Sequence, residues 1–342
     1  MKKYVFLCVF SLVTLSVFAQ KRKTPAVKQP VIEEPPRNLE YELRNPNGSE
    51  YDVVAPENSL TSLIGIKNNG EEIQIKDLKE FETMDFSQWK RISFVTRISG
   101  KLLETTILKR ILNEAISLES LEISNFKIDS FPEITSPNKS LKELSLSRNN
   151  LQTLPASVSN LTALEKFQSS NPLTELPESF AQLKNLKELG LDNNEFSAFP
   201  TVIFSLNKLT VLYVSGPYKG SAKIKELPDH FQQLPNLKEF GVSSASLSAL
   251  PPSISTLKKL EKASFSNNQF TSFPEVLATN TNLSYVPFAS NPLQWELFLP
   301  SIKKIKWSGL FFLNETNLTK KQYQEIQKIL NKTDVYYDGM NE

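Results

Sequence analysis

Thiols and imidazoles are almost missing from this 342-residue chain, which holds one Cys, Cys8, and one His, His230. Disulfide frameworks, thiolate metal sites and a Cys nucleophile therefore lack their residues, and a single histidine cannot build a multi-histidine metal site. Glycine is sparse too, at ten residues, and nowhere do glycines cluster as a phosphate-cradling loop requires for its amides to approach an anion. Neither sign of charge dominates, since 39 Lys and Arg face 37 Asp and Glu. A nucleic-acid binder needs a basic footprint to neutralise phosphates, and that class is excluded. Ser-His-Asp catalysis would have to run through His230, which stands three residues after Leu227, where Ser157 and Ser179 stand after Leu154 and Leu176. An exposed polar His is expected there. Carboxylates are plentiful, but a pair becomes an acid/base site only in a cleft that shifts one pKa, and the sequence shows no such cleft. The expectation is a non-enzyme that takes no cofactor and no metal.

The only long apolar run is N-terminal. Met1-Lys2-Lys3 is a short basic start, Tyr4 to Phe18 is apolar apart from Ser and Thr, and Val17-Phe18-Ala19 precedes Gln20. This pattern predicts a cleaved secretory signal over residues 1–19; the run falls short of the roughly 20 residues that a bilayer span needs. Cys8 then belongs to the discarded segment, and loss of Lys2 and Lys3 leaves 37 basic against 37 acidic side chains. Residues 20–38 carry Pro25, Pro30, Pro35 and Pro36 with little to bury, which predicts a disordered linker. The signal style and the Lys-, Asn- and Ser-rich composition point to export in a Gram-negative bacterium, to periplasm, cell surface or medium, with no membrane span once the signal is gone.

What the chain has in abundance is a period. A bulky apolar residue followed by Pro recurs as Phe131-Pro132, Leu154-Pro155, Leu176-Pro177, Phe199-Pro200, Leu227-Pro228, Leu250-Pro251 and Phe273-Pro274, at spacings of 23, 22, 23, 28, 23 and 23. A second ladder, Leu118, Leu141, Leu164, Leu186, Leu209, Leu237, Leu260 and Leu283, keeps the same period and the same irregularities. Repeats of this length mean stacked units that bury one continuous core. The clearest copy runs Leu141-x-x-Leu144-x-Leu146-x-x-Asn149-x-Leu151-x-x-Leu154-Pro155, and Asn194, Asn268 and Asn291 occupy the slot of Asn149. Each such Asn stands where the chain leaves a strand, and its side chain can bond backbone groups that have lost their ladder partners. Asn171 offers the same by a one-residue shift. Phe131, Phe167, Phe180, Phe196, Phe199, Phe204, Phe231, Phe240, Phe265, Phe270 and Phe273 fall in slots filled elsewhere by aliphatic residues, which predicts core.

These ladders resemble the leucine-rich repeat family, in its 23-residue class with an apolar-Pro step. The resemblance covers eight units over residues 118–293. It implies an α/β solenoid, a horseshoe with short parallel strands on the concave face and irregular or 3₁₀ turns on the convex face. It also implies a protein partner on the concave strands. Atypical caps are expected at both ends, over residues 39–117 and 294–342. Upstream, Leu60-x-x-Leu63 and Ile73-x-Ile75 suggest short strands, Trp89-x-x-Ile92-x-Phe94 imitates the strand frame, and Leu103, Ile107, Leu108, Ile111 and Leu112 have helical spacing. Downstream, Ile302-x-x-Ile305-x-Trp307 reads as another strand frame, Thr319 with Gln322 as a capping box before a helix, and Val335-Tyr336-Tyr337 as an edge strand.

On the concave face, Glu119, Lys142, Glu165 and Lys187 should form an alternating row across strands roughly 4.8 Å apart, satisfying itself. The row breaks at the Leu209 unit, which presents Val211 and Tyr213 and carries an insertion around Gly216-Pro217-Tyr218-Lys219-Gly220. Exposed aromatics are favoured interface anchors and inserted loops often sit on a binding face. The candidate partner-binding residues are Val211, Tyr213, Tyr218, Lys219 and Tyr285, the last standing in the Val211 slot three units on. A glycan on the tyrosines and a purely structural envelope component are the alternatives to a protein partner.

Overall fold

In a computed structural model, residues 61–98, 100–217 and 223–337 are described. The predicted signal and linker, Leu60, Tyr218 and Lys219 lie outside them. The described residues fall in one compact unit, Ala55–Glu342.

The unit starts with β1 (Thr61–Lys67) and β2 (Glu72–Gln74), an antiparallel pair. β1 also pairs antiparallel with β3 (Trp89–Thr96), so a hairpin covers the first edge of the stack. Trp89, Ile92 and Phe94 are buried, as their frame requires. Helix α1 (Thr105–Glu114) then buries Ile107, Leu108, Ile111 and Leu112. From there each Leu-x-x-Leu-x-Leu frame yields one short strand: β4 (Ser120–Ser124), β5 (Glu143–Ser147), β6 (Lys166–Ser170), β7 (Glu188–Asp192), β8 (Val211–Ser215), β9 (Glu239–Ser243), β10 (Lys262–Ser264) and β11 (Tyr285–Pro287). Alternation along each strand sends Leu144 and Leu146, or Leu189 and Leu191, into the core and their neighbours outward.

The apolar-Pro step turns the chain around. Pro155, Pro177, Pro200 and Pro251 hold φ between −69° and −65° with extended ψ, and a 3₁₀ turn follows at once over Ala156–Asn160, Glu178–Gln182, Thr201–Ser205 and Pro252–Thr256. Each of these prolines stands at the N-cap, where its fixed φ and extended ψ end the extended segment and lead the chain into the turn. Each turn drops at least one apolar side chain into the stack: Val158, Phe180, Ile203 with its neighbours Val202 and Phe204, and Ile254. Pro274 does the same before α2 (Glu275–Ala278). All eleven phenylalanines expected in the core are buried, several in edge or tilted contact, such as Phe231 on Phe240 at 4.8 Å and Phe240 on Phe265 at 5.6 Å.

Strand exits share one backbone device. Asn125, Arg148, Asn193, Ser244, Asn267 and Ser290 all take φ between 49° and 64°, and Glu315 repeats it at 54°. The left-handed step redirects the chain toward the convex side. Asn favours it more readily than Arg or Ser.

The C-terminal cap departs from the sequence frame. Ile302 is the last residue of α3 (Trp295–Ile302), not the start of a strand unit, and the next strand is β12 (Leu310–Phe312). Phe311 pairs with Val286 and fills the core slot. A helix in place of a 3₁₀ turn lengthens this unit, which carries the strand beyond Ile305 and Trp307. The capping box is present at α4 (Lys320–Ile329), where Thr319 and Gln322 bond reciprocally. β13 (Asp334–Tyr336) closes the far edge. Among the described residues the result is one 13-stranded sheet in the order β13 through β3, then β1 and β2, parallel from β3 onward.

Candidate functional site: the concave strand face

Strand register sorts the outward residues into rows that cross the repeats. In the first row Glu119 sits between Lys90 at 3.9 Å and Lys142 at 3.3 Å, and Lys187 meets Glu165 at 2.7 Å. That Lys187 hydrogen bond holds the Glu165 carboxyl below its usual range. One residue further along each strand, Lys166 meets Glu188 at 3.0 Å and Lys262 meets Glu239 at 2.7 Å. The pairs are exposed, so each contributes little stability. They do leave Glu119, Glu165, Glu188 and Glu239 each answered by a lysine on a neighbouring strand.

Val211 interrupts the second row, paired in register with Glu188 on one side and Glu239 on the other. The row then continues through Lys262 to Tyr285, Leu310 and Asp334. Tyr213 stands one row over, between Gly190 and Gly241. It is half-buried, and its hydroxyl donates to Glu239 Oε2 at 3.1 Å. Gly241 leaves the space the ring uses: a Cβ there would stand 2.8 Å from Tyr213 Cδ1. Burial, then the nearby Glu239 carboxylate, push the Tyr213 phenol far above its ordinary range, so it stays protonated and remains a donor at any physiological pH. Beside it on β7, burial raises the Asp192 carboxyl, with a Ser215 hydrogen bond partly opposing.

Of the candidate binding residues, the structure therefore places Val211 and Tyr213 side by side on β8 and Tyr285 three strands away. His230 is exposed, with its ring edge-on to Phe204 at 5.8 Å. The repeat frame did not reveal a second aromatic group: Tyr285 lies 5.1 Å from Phe312, which stacks on Tyr336 at 4.9 Å and 16°. These rings, with Pro287, Leu310 and Asp334, occupy the outward positions of β11 to β13. The signal for Phe312 and Tyr336 was the alternation in Leu310-Phe311-Phe312-Leu313 and Asp334-Val335-Tyr336, usable only once Phe311 and Val335 are placed in the core.

The asparagines at the strand exits lie beneath this face. Asn268 is buried; its Nδ2 donates to the carbonyls of Val242 at 2.8 Å and Phe265 at 3.1 Å, and its Oδ1 accepts the Leu247 amide at 3.1 Å. Asn291 bridges Phe265, Phe288 and the Phe270 amide in the same way. Asn194 donates to Leu191 and Ser215 and accepts from Phe196. Asn171 accepts the amides of Asn149 at 2.7 Å and Leu151 at 3.3 Å and donates to Leu146. Asn149 donates to Phe126 at 2.9 Å, while its Oδ1 has no partner. Each asparagine ties one repeat to the next.

Among the described residues there is no group of three or more His, Cys, Asp or Glu side chains able to hold a metal, and no helix is long and apolar enough to cross a membrane. An open sheet of stacked parallel strands with 3₁₀ turns behind it and bridging asparagines at the strand exits is a leucine-rich repeat solenoid. The fold is thus that of a leucine-rich repeat solenoid, and the family model described as Leucine Rich Repeat matches residues 140–161, one unit of the stack. No curated protein matches the chain. Similar solved structures include an LRR protein of Leptospira interrogans, at 24% identity over 67% of this chain and 74% of that one, with a TM-score of 0.44. The Arabidopsis receptor kinase HAESA, solved with the peptide hormone IDA and the co-receptor SERK1, is 26% identical over 65% of this chain and 35% of that one, with a TM-score of 0.47. An octameric complex of Latrophilin 3, Unc5D and FLRT2 (LRR) contains a chain 19% identical over 72% of this chain and 83% of that one, with a TM-score of 0.48.

Proposed function

We propose that this is a non-catalytic, exported binding protein of a bacterial envelope whose concave strand face engages another protein. The observation that carries the reading is the change in that face at β8. Before it, Glu and Lys side chains neutralise one another across the strands. From Val211 and Tyr213 onward, uncharged and aromatic side chains enter the rows beside the remaining Lys238–Glu261 and Lys262–Glu239 pairs. Desolvating paired charges is costly while aromatic surface is favourable to cover, so a partner gains most by seating on the second part. Tyr218 and Lys219, in the inserted loop, complete the proposed patch with Tyr285.

A photoreactive amino acid introduced at Ser145, Tyr213 or Tyr285 on the strands, and at Ser159 or Ser255 on the turns behind, tests the reading in cells. Protein adducts from the strand positions and not from the turn positions are expected. Equal adducts from both sides would indicate a structural component packed through its convex face. Glycan adducts alone from the strand positions would replace the protein partner with a carbohydrate. Export is tested separately, by N-terminal sequencing of the mature chain, with a start at Gln20 expected.

A further inference from the structure

Two glycines face the concave side, Gly190 in β7 and Gly241 in β9, and Tyr213 of β8 pairs in register with both. Its ring lies over Gly241, where a Cβ would meet it at 2.8 Å, whereas a Cβ at Gly190 would meet only Gln168 Cγ, at 3.7 Å. One glycine is covered and the other is open. A glycine inside a strand often marks a place where another group approaches the backbone. Gly190 is the middle of a frame: Gln168 and Tyr213 flank it across the sheet, each strand roughly 4.8 Å away, and Glu188 and Asp192 flank it along β7. Lys166 answers Glu188 at 3.0 Å. Asp192 has only a neutral partner among the described residues, the Ser215 hydroxyl, and no neighbouring cation offsets the burial that raises its carboxyl pKa. In its row Ser124, Ser147 and Ser170 hold the corresponding places on one side, and Ser215 and Ser243 on the other. A half-buried carboxylate thus borders a gap in the surface that no side chain fills.

We infer that the gap over Gly190 is the seat of an arginine of the protein partner, with its guanidinium laid on the open backbone between Gln168 and the Tyr213 ring and donating to Asp192. A charge-assisted hydrogen bond is the strongest that a carboxylate can accept, and it would offset the cost of holding Asp192 partly out of water. An apolar side chain would fill the same gap but bury the carboxylate further without a counter-charge. Arg suits the frame better than Lys, because a planar guanidinium stacks on an aromatic face while its fork reaches Asp192 and the Gln168 carbonyl together. The inference rests on the concave face being the binding face, and it assigns one contact of that face and the chemistry that makes it.

The test is a nuclear magnetic resonance titration of the mature chain with two short peptides, identical except that one carries Arg where the other carries citrulline, which has a similar shape without the charge. The Gly190 amide and the Gln168 side-chain amide report the seat. The Arg peptide is expected to shift both and to bind about tenfold or more tightly than the citrulline peptide, equivalent to about 1.4 kcal/mol, with the difference shrinking as salt rises. Asp192→Asn should erase the difference, and Gly190→Val should block binding by filling the gap. Both variants should stay folded: Asn can still accept from Ser215, and Val suits a strand position whose φ is not positive. Thermal midpoints verify this. Glu122→Gln, which removes a carboxylate of the same face three strands away, should leave the difference intact. Equal binding of the two peptides, no binding of either, or an unchanged preference in Asp192→Asn or Gly190→Val would overturn the inference, as would loss of the preference in Glu122→Gln. Photocrosslinking from Ser145 and Tyr285 separates this failure from failure of the functional reading: adducts there without an Arg preference leave the protein-binding face standing and remove only the seat at Gly190.

Discussion

The ring of Tyr213 rests on the backbone of Gly241, in the space that a β-carbon on the neighbouring strand would fill. Gly241→Ala therefore drives the ring off the sheet and separates its hydroxyl from Glu239. The backbone tolerates Ala at this position, since Gly241 is not among the residues with positive φ, so the cost is steric. Overpacking of this kind destabilises by roughly 1–3 kcal/mol. Gly190→Ala is the matched control one strand to the other side, where the nearest atom to the new Cβ would be Gln168 Cγ at 3.7 Å, an ordinary contact. Urea unfolding should show a loss for Gly241→Ala and little change or a slight gain for Gly190→Ala. Equal effects at both sites would mean that Tyr213 does not depend on the glycine.

Asp192 gives the face a pH dependence of definite sign. Burial raises its folded-state pKa above the unfolded value, so in the window between the two the native chain holds more protons than the unfolded one. Stability then falls as pH rises from about 3.9, the unfolded value, through the folded pKa. Asparagine copies the protonated form and can still accept from Ser215. Asp192→Asn should accordingly be more stable than the parent at pH 7, and the gap should close below about pH 3.9. Thermal midpoints across that range check it; a gap that widens on acidification would contradict the assignment.

The asparagine positions are not equivalent, and their difference is measurable. Replacing Asn268 with Leu strands the Val242 and Phe265 carbonyls and the Leu247 amide. A buried group left without its partner costs about 1–3 kcal/mol. At Asn149 the Oδ1 is already unpartnered and only the bond to Phe126 is lost. Asn268→Leu should therefore cost clearly more than Asn149→Leu in chemical denaturation. The reverse order would show that the bridging bonds do not carry the stack.

The repeat core was legible because its spacing is imposed by physics: strand rise, the fixed φ of Pro155 or Pro200, and the need of each Leu to meet the next unit. Trp89, Ile92 and Phe94 were readable for the same reason. The frame at Ile302, Ile305 and Trp307 misled because apolar residues at those intervals also suit the end of a helix, and α3 uses Ile302 that way. That shift hid the partnership of Tyr285, Phe312 and Tyr336, since a row exists only once each strand has its register. Tyr213 was visible as an outward aromatic, but its dependence on Gly241, on the next strand, was not. No periodicity encodes a ring that lies across to its neighbour.

A last contact of this hidden kind guards the end of the sheet. The inner side of β13 is satisfied by β12, with the Asp334 amide on Gly309 at 2.7 Å and the Leu313 amide on Tyr336 at 2.8 Å. On its outer side Gln327 of α4 accepts the Val335 amide at 3.1 Å and donates to the Thr333 carbonyl at 2.8 Å. A bare edge strand is a template for pairing with another chain, and one amide side chain occupies these two groups. Buried Tyr323 and Ile326, together with the Thr319 capping box, fix the helix that aims it. Gln327→Ala should speed hydrogen exchange at the Val335 amide and produce concentration-dependent association in sedimentation, while the thermal midpoint changes little. Unchanged exchange at Val335 would mean that the strand edge is protected by something other than Gln327. Faster exchange without association would mean that the three-residue length of β13 is itself too short to recruit a second chain.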